Sequence, residues 1–212
     1  MVQSLARVGA YVGWAVVSGF ARGIDTEVHK AAVNAGGPTL AVLGSGLGHI
    51  YPQDNVPLAR RMTEHGALIS EFPMQFPPSR QTFPMRNRII AGISCATLVI
   101  QAGLNSGSLI TANQALEQNR QVMAVPGPAD SPQSQGCHSL IKDGAKLVEK
   151  FEDVLEEFAY LPGLTSGGGA SGRGDGRTAA GPAAVGAEDR SPPLNLDEDE
   201  ERLLACMDEE MS

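Results

Sequence analysis

Short aliphatic runs alternate with stretches of helical periodicity over most of the chain. The runs at 14–18, 39–43, 67–70, 96–101, 121–125 and 146–148 read as strands. The stretches at 2–11, 25–35, 56–65, 85–93, 108–118, 137–142 and 151–158 read as helices. The strand runs are almost continuously apolar rather than alternating, as in Trp14-Ala15-Val16-Val17 and Ala96-Thr97-Leu98-Val99-Ile100. A strand covered on both faces needs such a run. The pattern therefore predicts an α/β fold, a mostly parallel sheet with helices on both faces. Ligands in such sheets bind beyond the carboxyl ends of the strands.

The pattern breaks after Pro162. Gly163 to Pro193 is rich in Gly, Ala, Ser and Pro and nearly devoid of large apolar residues. Such a stretch buries too little surface to offset its ordering entropy and reads as a flexible linker. Asp197 to Met211 reads as an acidic helix with Leu203, Leu204 and Met207 on one face. The expected organisation is a body over 1–160, a linker over 161–195, and over 196–212 the opening of a further helical domain, a winged helix being one form, cut off at Ser212. The apolar segment from Val8 to Phe20 contains Gly9 and Gly13 and is too short for a bilayer. Arg7 before it would suit a signal-peptide core, but the run passes straight into a glycine turn at 19–23, which suits a buried strand. The expectation is a cytoplasmic protein with no membrane partner.

Charge sharpens this division. The 212 residues carry a formal net charge of −8. Residues 1–150 hold 12 Lys and Arg against 9 Asp and Glu, a balance of +3, whereas 151–212 hold 4 against 15, a balance of −11. The body is mildly basic and the acid lies in the tail. The 3 cysteines are widely spaced, which fits reduced thiols rather than a disulfide framework. The 4 histidines lack metal-ligand spacing. No lysine follows a glycine, so there is no Walker A loop and ATP hydrolysis is not expected. No catalytic residue, metal or cofactor is expected.

Several junctions carry groups suited to an anion. Ser18-Gly19-Phe20-Ala21-Arg22-Gly23-Ile24-Asp25 is a strand end, a glycine turn and a helix start, with Ser18, Gly19, Arg22 and Gly23 as candidates and Asp25 as the helix cap. Arg22 could equally be satisfied by helix carboxyl ends. Asp25 and His29 share a helix face, as a local pair or a base–acid pair. Gly44-Ser45-Gly46-Leu47-Gly48 follows a strand but lacks the third glycine of a dinucleotide fingerprint, since His49 stands there. Gly44 and Ser45 form either a tight turn or a backbone nest for a phosphate. In Phe83-Pro84-Met85-Arg86-Asn87-Arg88, the two arginines point in different directions on a helix. One can face an anion while the other anchors Glu71 or the sheet end, and Asn87 offers an amide. Asn105-Ser106-Gly107-Ser108-Leu109-Ile110-Thr111 opens a helix, where Ser106 or Ser108 caps and Gly107 admits close approach. Thr111 adds a third hydroxyl. Lys142 ends a helix, where its charge also suits the dipole.

Seven of these words resemble the DNA-processing protein A (DprA/Smf) family: SGFARGID at 18–25, TLAVLGSGLGHIYPQDN at 39–55, SEFP at 70–73, FPMRNRIIAGIS at 83–94, NSGSLITANQALEQNR at 105–120, AVPG at 124–127 and GCHSLIKDGAKLV at 136–148. Their order and spacing carry the resemblance from about residue 10 to about 155. It implies a Rossmann-like domain that binds single-stranded DNA, protects incoming DNA in natural transformation and helps load the recombinase RecA, with a homodimer as the expected assembly. A positively charged groove for single strands is compatible with the basic body. Aromatic residues are few, with Phe83 and Tyr51 the nearest stacking candidates and Phe76 a lesser one, so mostly backbone contact is expected. The chain departs from the family at its front. The family's first strand and its glycine–arginine turn have no match, and Trp14–Ser18 corresponds to the second strand, so one wall of the phosphate pocket is expected to be absent. The competing class is a nucleotide-processing hydrolase of the lysine-decarboxylase-like (LOG) group. Its glycine–threonine loop carries a glutamate that Gly103–Thr111 lacks.

Overall fold

The computed structural model describes residues 1–159, so the expected linker and acidic helix lie outside the described residues. Helix α1 (Val2–Tyr11) leads into β1 (Val16–Ser18), α2 (Ile24–Asn34) and β2 (Thr39–Val42). A single 3-10 turn (Gln53–Asn55) precedes α3 (Val56–Met62) and β3 (Ala67–Ile69). The second half runs α4 (Thr82–Ile93), β4 (Ala96–Val99), α5 (Gly107–Glu117), β5 (Gln121–Ala124), α6 (Gln135–Lys142), β6 (Lys146–Leu147) and α7 (Phe151–Phe158).

Every strand pair is parallel, as the aliphatic runs predict. The strands form two three-stranded sheets, ordered β1-β2-β3 and β4-β5-β6. Leu40 lies between Val17 and Ala67 in the first, and Met123 between Leu98 and Lys146 in the second. β1 and β4 thus each keep one edge unpaired. They are also less buried than their neighbours: all of β1 and three of four residues of β4 are half-buried, whereas β2 and β5 are buried at three of four positions.

Three apolar clusters hold the elements together. Phe20, Val33, Leu43, Leu58 and Met62 pack the first sheet against α2 and α3. Val99, Ala112, Val122, Cys137 and Leu140 pack the second against α5 and α6. Leu5 and Val8 of α1 join Met123, Val148, Phe151, Val154 and Phe158, so the first helix closes onto the last. Trp14 meets Phe151 and Phe158 edge-on, with ring centroids 5.6 and 5.5 Å apart, the arrangement the ring quadrupoles favour.

Several boundaries shift by a few residues from expectation, and local reasons account for two of them. α4 begins at Thr82 rather than 85, because Pro84 falls in the first turn, where its missing N–H would have no intrahelical partner anyway. α3 stops at Met62, where Thr63 Oγ1 donates to the Arg60 carbonyl at 2.7 Å.

Candidate nucleic-acid interface

The β1–α2 turn is locked from within. Asn55 Nδ2 donates to Thr26 Oγ1 at 2.8 Å, and Thr26 Oγ1 donates to the Ala21 carbonyl at 2.7 Å. Phe20 is fully buried with φ of 62°, and Gly23 enters α2 with φ of 88°, a conformation side chains rarely adopt. Asp25 does not cap α2 as expected. Gly23 is the N-cap, and Asp25 lies in the first turn, where its Oδ2 accepts from Ala21 N–H at 3.0 Å. The Asp25–His29 pairing is not the arrangement found either. His29 is fully buried and turns Nδ1 to Thr39 Oγ1 at 2.8 Å. Burial drives its pKa down to about 4, with Asp25 opposing and Arg86 adding to the shift.

Arg86 is the centre of the site. It is 4 % exposed, and its Nη1 donates to the carbonyls of Gly19, at 2.6 Å, and Val42. It stitches the carboxyl ends of β1 and β2. Its Nε donates to Asn87 Oδ1 at 3.0 Å. Gly19 makes room for it: a Cβ there would lie 2.5 Å from Arg86 Nη2. Desolvation lowers the Arg86 pKa, but a guanidinium stays charged in proteins. Arg88 carries the other anchoring role, an ion pair with Glu71. Both anchors named as alternatives are thus occupied, one by each arginine, and neither arginine is free in the described structure. Arg22 is exposed and pairs with Asp54 at 3.0 Å, rather than with helix carboxyl ends.

Ser106 caps α5, with its Oγ accepting from Ser108 N–H at 3.3 Å. A Cβ on Gly107 would meet nothing within 4 Å, so the helix start is open. Thr111 Oγ1 donates to the Gly107 carbonyl at 3.4 Å.

These turns meet at one cleft of about 910 Å³, whose walls include Ser18, Gly19, Arg22, Arg86, Asn87, Ser106, Gly107, Ser108 and Thr111. Tyr51 and Phe83 also face it, with ring centroids 5.9 Å apart. Phe76 instead stacks on Phe72 at 5.1 Å.

Other candidates fall elsewhere. Gly44 and Ser45 form the tight turn and not an open nest. Ser45 is 2 % exposed and donates to the His49 carbonyl at 2.6 Å. The amides of Gly46 and Gly48 are taken by the carbonyls of Phe76 and Met74. Gly44 lies beneath the Phe83 ring, where an added Cβ would stand 2.6 Å from Phe83 Cδ1. Lys142 is at the wrong end of the sheet. The start of α6 is bonded to the end of β4 through Gly136 N–H and the Ala102 carbonyl, 2.8 Å apart. The helix then runs back, so Lys142 lies near the start of β6. Asn55 was missed by sequence reasoning. A lone asparagine between Asp54 and Val56 carries no signal of the turn it braces from 35 residues away.

The model of the family described as DNA recombination-mediator protein A matches residues 1–159. The chain belongs to that family. Protein Smf of Escherichia coli is 51% identical over 149 residues, covering 70% of this chain and 40% of that protein. DNA processing protein DprA of Bacillus subtilis is 49% identical over 157 residues, covering 74% of this chain and 53% of that protein. The chain thus spans about half or less of the length of these curated relatives. Among solved structures, DprA of Streptococcus pneumoniae superposes with a TM-score of 0.67 at 41% identity, over 74% of this chain and 56% of that one. DprA of Helicobacter pylori, described for its single-stranded DNA binding mode, gives 0.68 at 26% identity, over 75% and 72%. The Rossmann-like α/β fold expected from the resemblance is the fold found. No helix among the described residues is long and apolar enough to cross a membrane. No cluster of potential metal ligands occurs among them.

Proposed function

We propose that the cleft binds single-stranded DNA through its phosphates, as part of a DNA-processing role in recombination. The observation that carries this reading is the convergence of the open α5 start, the Ser18–Arg22 turn and the buried Arg86 charge on one cavity. Backbone N–H groups at a helix start favour an anion, and a fixed cation nearby raises the local potential. Ser106, Gly107, Ser108 and Thr111 are the proposed phosphate contacts on one side, with Ser18, Gly19, Arg22, Gly23 and Asn87 on the other. Tyr51 and Phe83 offer faces on which bases of any kind stack. The proposed contacts go to phosphates rather than to base edges in a groove, so duplex is expected to be the poorer ligand.

The finer reading follows the family resemblance: a cytoplasmic, non-enzymatic homodimer that protects incoming DNA during transformation and helps load RecA. The body over 1–160 carries the DNA contacts, and the acidic segment after 160 takes no part in them. Fluorescence anisotropy with labelled single- and double-stranded oligomers at several salt concentrations tests the central point. Tighter, salt-sensitive binding of single strands is expected, with log affinity falling about 0.7 against log salt for each phosphate neutralised by an arginine or lysine. Equal affinity for both forms, or none at low salt from folded protein, would remove the proposal. Release of free base from a nucleotide would favour the hydrolase class instead.

A further inference from the structure

We propose that Asp54 is an internal stand-in for a phosphate: it occupies Arg22 in the free protein and yields that arginine to the strand when DNA enters the cleft. The proposal rests on the reading of the cleft as a single-stranded DNA site and names a residue that regulates it. Asp54 itself stands on the 3-10 turn Gln53–Asn55, beside the cleft rather than in its wall.

Two arginines line the cleft among the described residues, Arg22 and Arg86. They differ in what holds them. Arg86 is buried against the backbone carbonyls of Gly19 and Val42, which cannot leave without parting the strand ends. Arg22 Nη2 instead meets Asp54 Oδ2 at 3.0 Å, and the two side chains are 71% and 79% exposed. An ion pair this open to water is weak, so its carboxylate is replaceable. A guanidinium fork fits a carboxylate and a phosphate in the same way. The acid therefore takes the place a phosphate would take, on an arginine that already faces the cavity.

The pairing is built into the fold rather than left to two long side chains. Asn55, the next residue, is 7% exposed, and its Nδ2 donates to Thr26 Oγ1 at 2.8 Å and to the Phe20 carbonyl at 3.5 Å. Phe20 and Thr26 bracket Arg22 in the chain. Asn55 thus clamps the turn that carries Asp54 to the turn that carries Arg22. Asp25 also lines the cleft, but its Oδ2 accepts from the Ala21 N–H, so it braces the turn instead. In the free protein the charges of Arg22 and Asp54 cancel. A strand gains Arg22 only by leaving Asp54 uncompensated beside its own phosphates, so Asp54 holds the affinity down and keeps binding reversible.

The test is Asp54→Asn in the full chain, titrated by anisotropy with a labelled oligothymidylate. The substitution keeps the shape of the side chain and removes its charge. Single-strand affinity is expected to rise about two- to fivefold at low salt, where screening is weakest. The slope of log affinity against log salt should steepen by up to about 0.7, because no freed carboxylate takes up the cations that the phosphate gives off. Asp54→Ala should do the same, and both variants should melt within about 2 °C of the parent. In an Arg22→Ala background the gain should shrink toward none, as expected of a coupled pair. Glu27→Gln makes the same charge change and frees Lys30 outside the cleft wall, and its gain should be smaller. Unchanged affinity in both Asp54 variants overturns the proposal. So does an equal gain in the Arg22→Ala background, or an equal gain from Glu27→Gln, since either would reduce Asp54 to its contribution to net charge. A folded parent that binds no strand at low salt removes the reading of the cleft and the exchange with it, whereas a parent that binds and is indifferent to Asp54 loses the exchange alone.

Discussion

Replacing Arg86 with alanine tests whether this residue is chiefly a stitch between strand ends. The guanidinium is 4 % exposed and donates to the carbonyls of Gly19 and Val42. Its removal strands two buried acceptors, each at about 1–3 kcal/mol. Partial hydration of the vacated space softens the loss, so about 3 kcal/mol is expected. A fold of this size has about 5–15 kcal/mol in total, and each kcal/mol moves its melting temperature by about 2–4 °C. Thermal unfolding of Arg86→Ala should therefore fall by about 6–12 °C. Gly19→Ala supplies the control. Its new Cβ would lie 2.5 Å from Arg86 Nη2 and expel the guanidinium, so it should destabilise the parent strongly. In the Arg86→Ala background the clash partner is gone, and the same change should have little effect, a non-additive pair. A melting temperature for Arg86→Ala within about 2 °C of the parent would refute the reasoning. So would an equal effect of Gly19→Ala in both backgrounds.

Arg88→Ala should change stability by less than about 1 kcal/mol, because its pair with Glu71 is solvent-exposed; chemical denaturation checks this, and a loss as large as that of Arg86→Ala would show the pair to be structural. Ser106→Ala removes the α5 cap and should lower stability by about 1 kcal/mol, while weakening single-stranded DNA binding without changing its salt slope, as read by anisotropy. The His29 pKa lies below its unfolded value, so the unfolded state binds the proton first as pH falls. Stability due to its neutral form is whole above about pH 6.5 and declines toward pH 4, by up to roughly 3 kcal/mol. Denaturation of His29→Asn should show a flatter profile over that window, and an unchanged slope would place the titration elsewhere.

The elements were legible because each rests on a local pattern. Helices at 2–11 and 151–158 and the strand runs follow from apolar spacing, and the structure trims strands mainly where the chain turns away, as beyond Val99. The open start of α5 was legible too, since a serine cap and a glycine are local signals. The pairing of Arg86 was only half legible. An arginine beside an apolar run announces a buried partner, but that the partners are carbonyls from 67 and 44 residues away depends on the packed fold. Ser45 and Lys142 failed for the same reason. A serine after a strand is equally suited to facing a ligand or bonding its own loop, and the choice fell to the His49 carbonyl. A lysine at a helix end says nothing about which end of the sheet it reaches.

The chemistry of Arg86's partners bears directly on the proposed function. Carbonyls satisfy the hydrogen bonds of a guanidinium but leave its charge intact, unlike the carboxylates that pair with Arg22 and Arg88. Asp25 offsets that charge only through space. The charge is nevertheless felt: it contributes to the depressed pKa of buried His29. A fixed, poorly solvated cation at the wall of an open cleft is the element that draws an anion without itself having to touch it. The phosphate contacts can then be made by neutral donors, the Ser106–Ser108 start of α5 and the Ser18–Gly19 turn, while the arginine sets the potential and holds the strand ends that present them. On this view the stability role and the binding role of Arg86 are not rivals. The same buried position that makes the side chain structural is what keeps its charge unscreened toward the cleft.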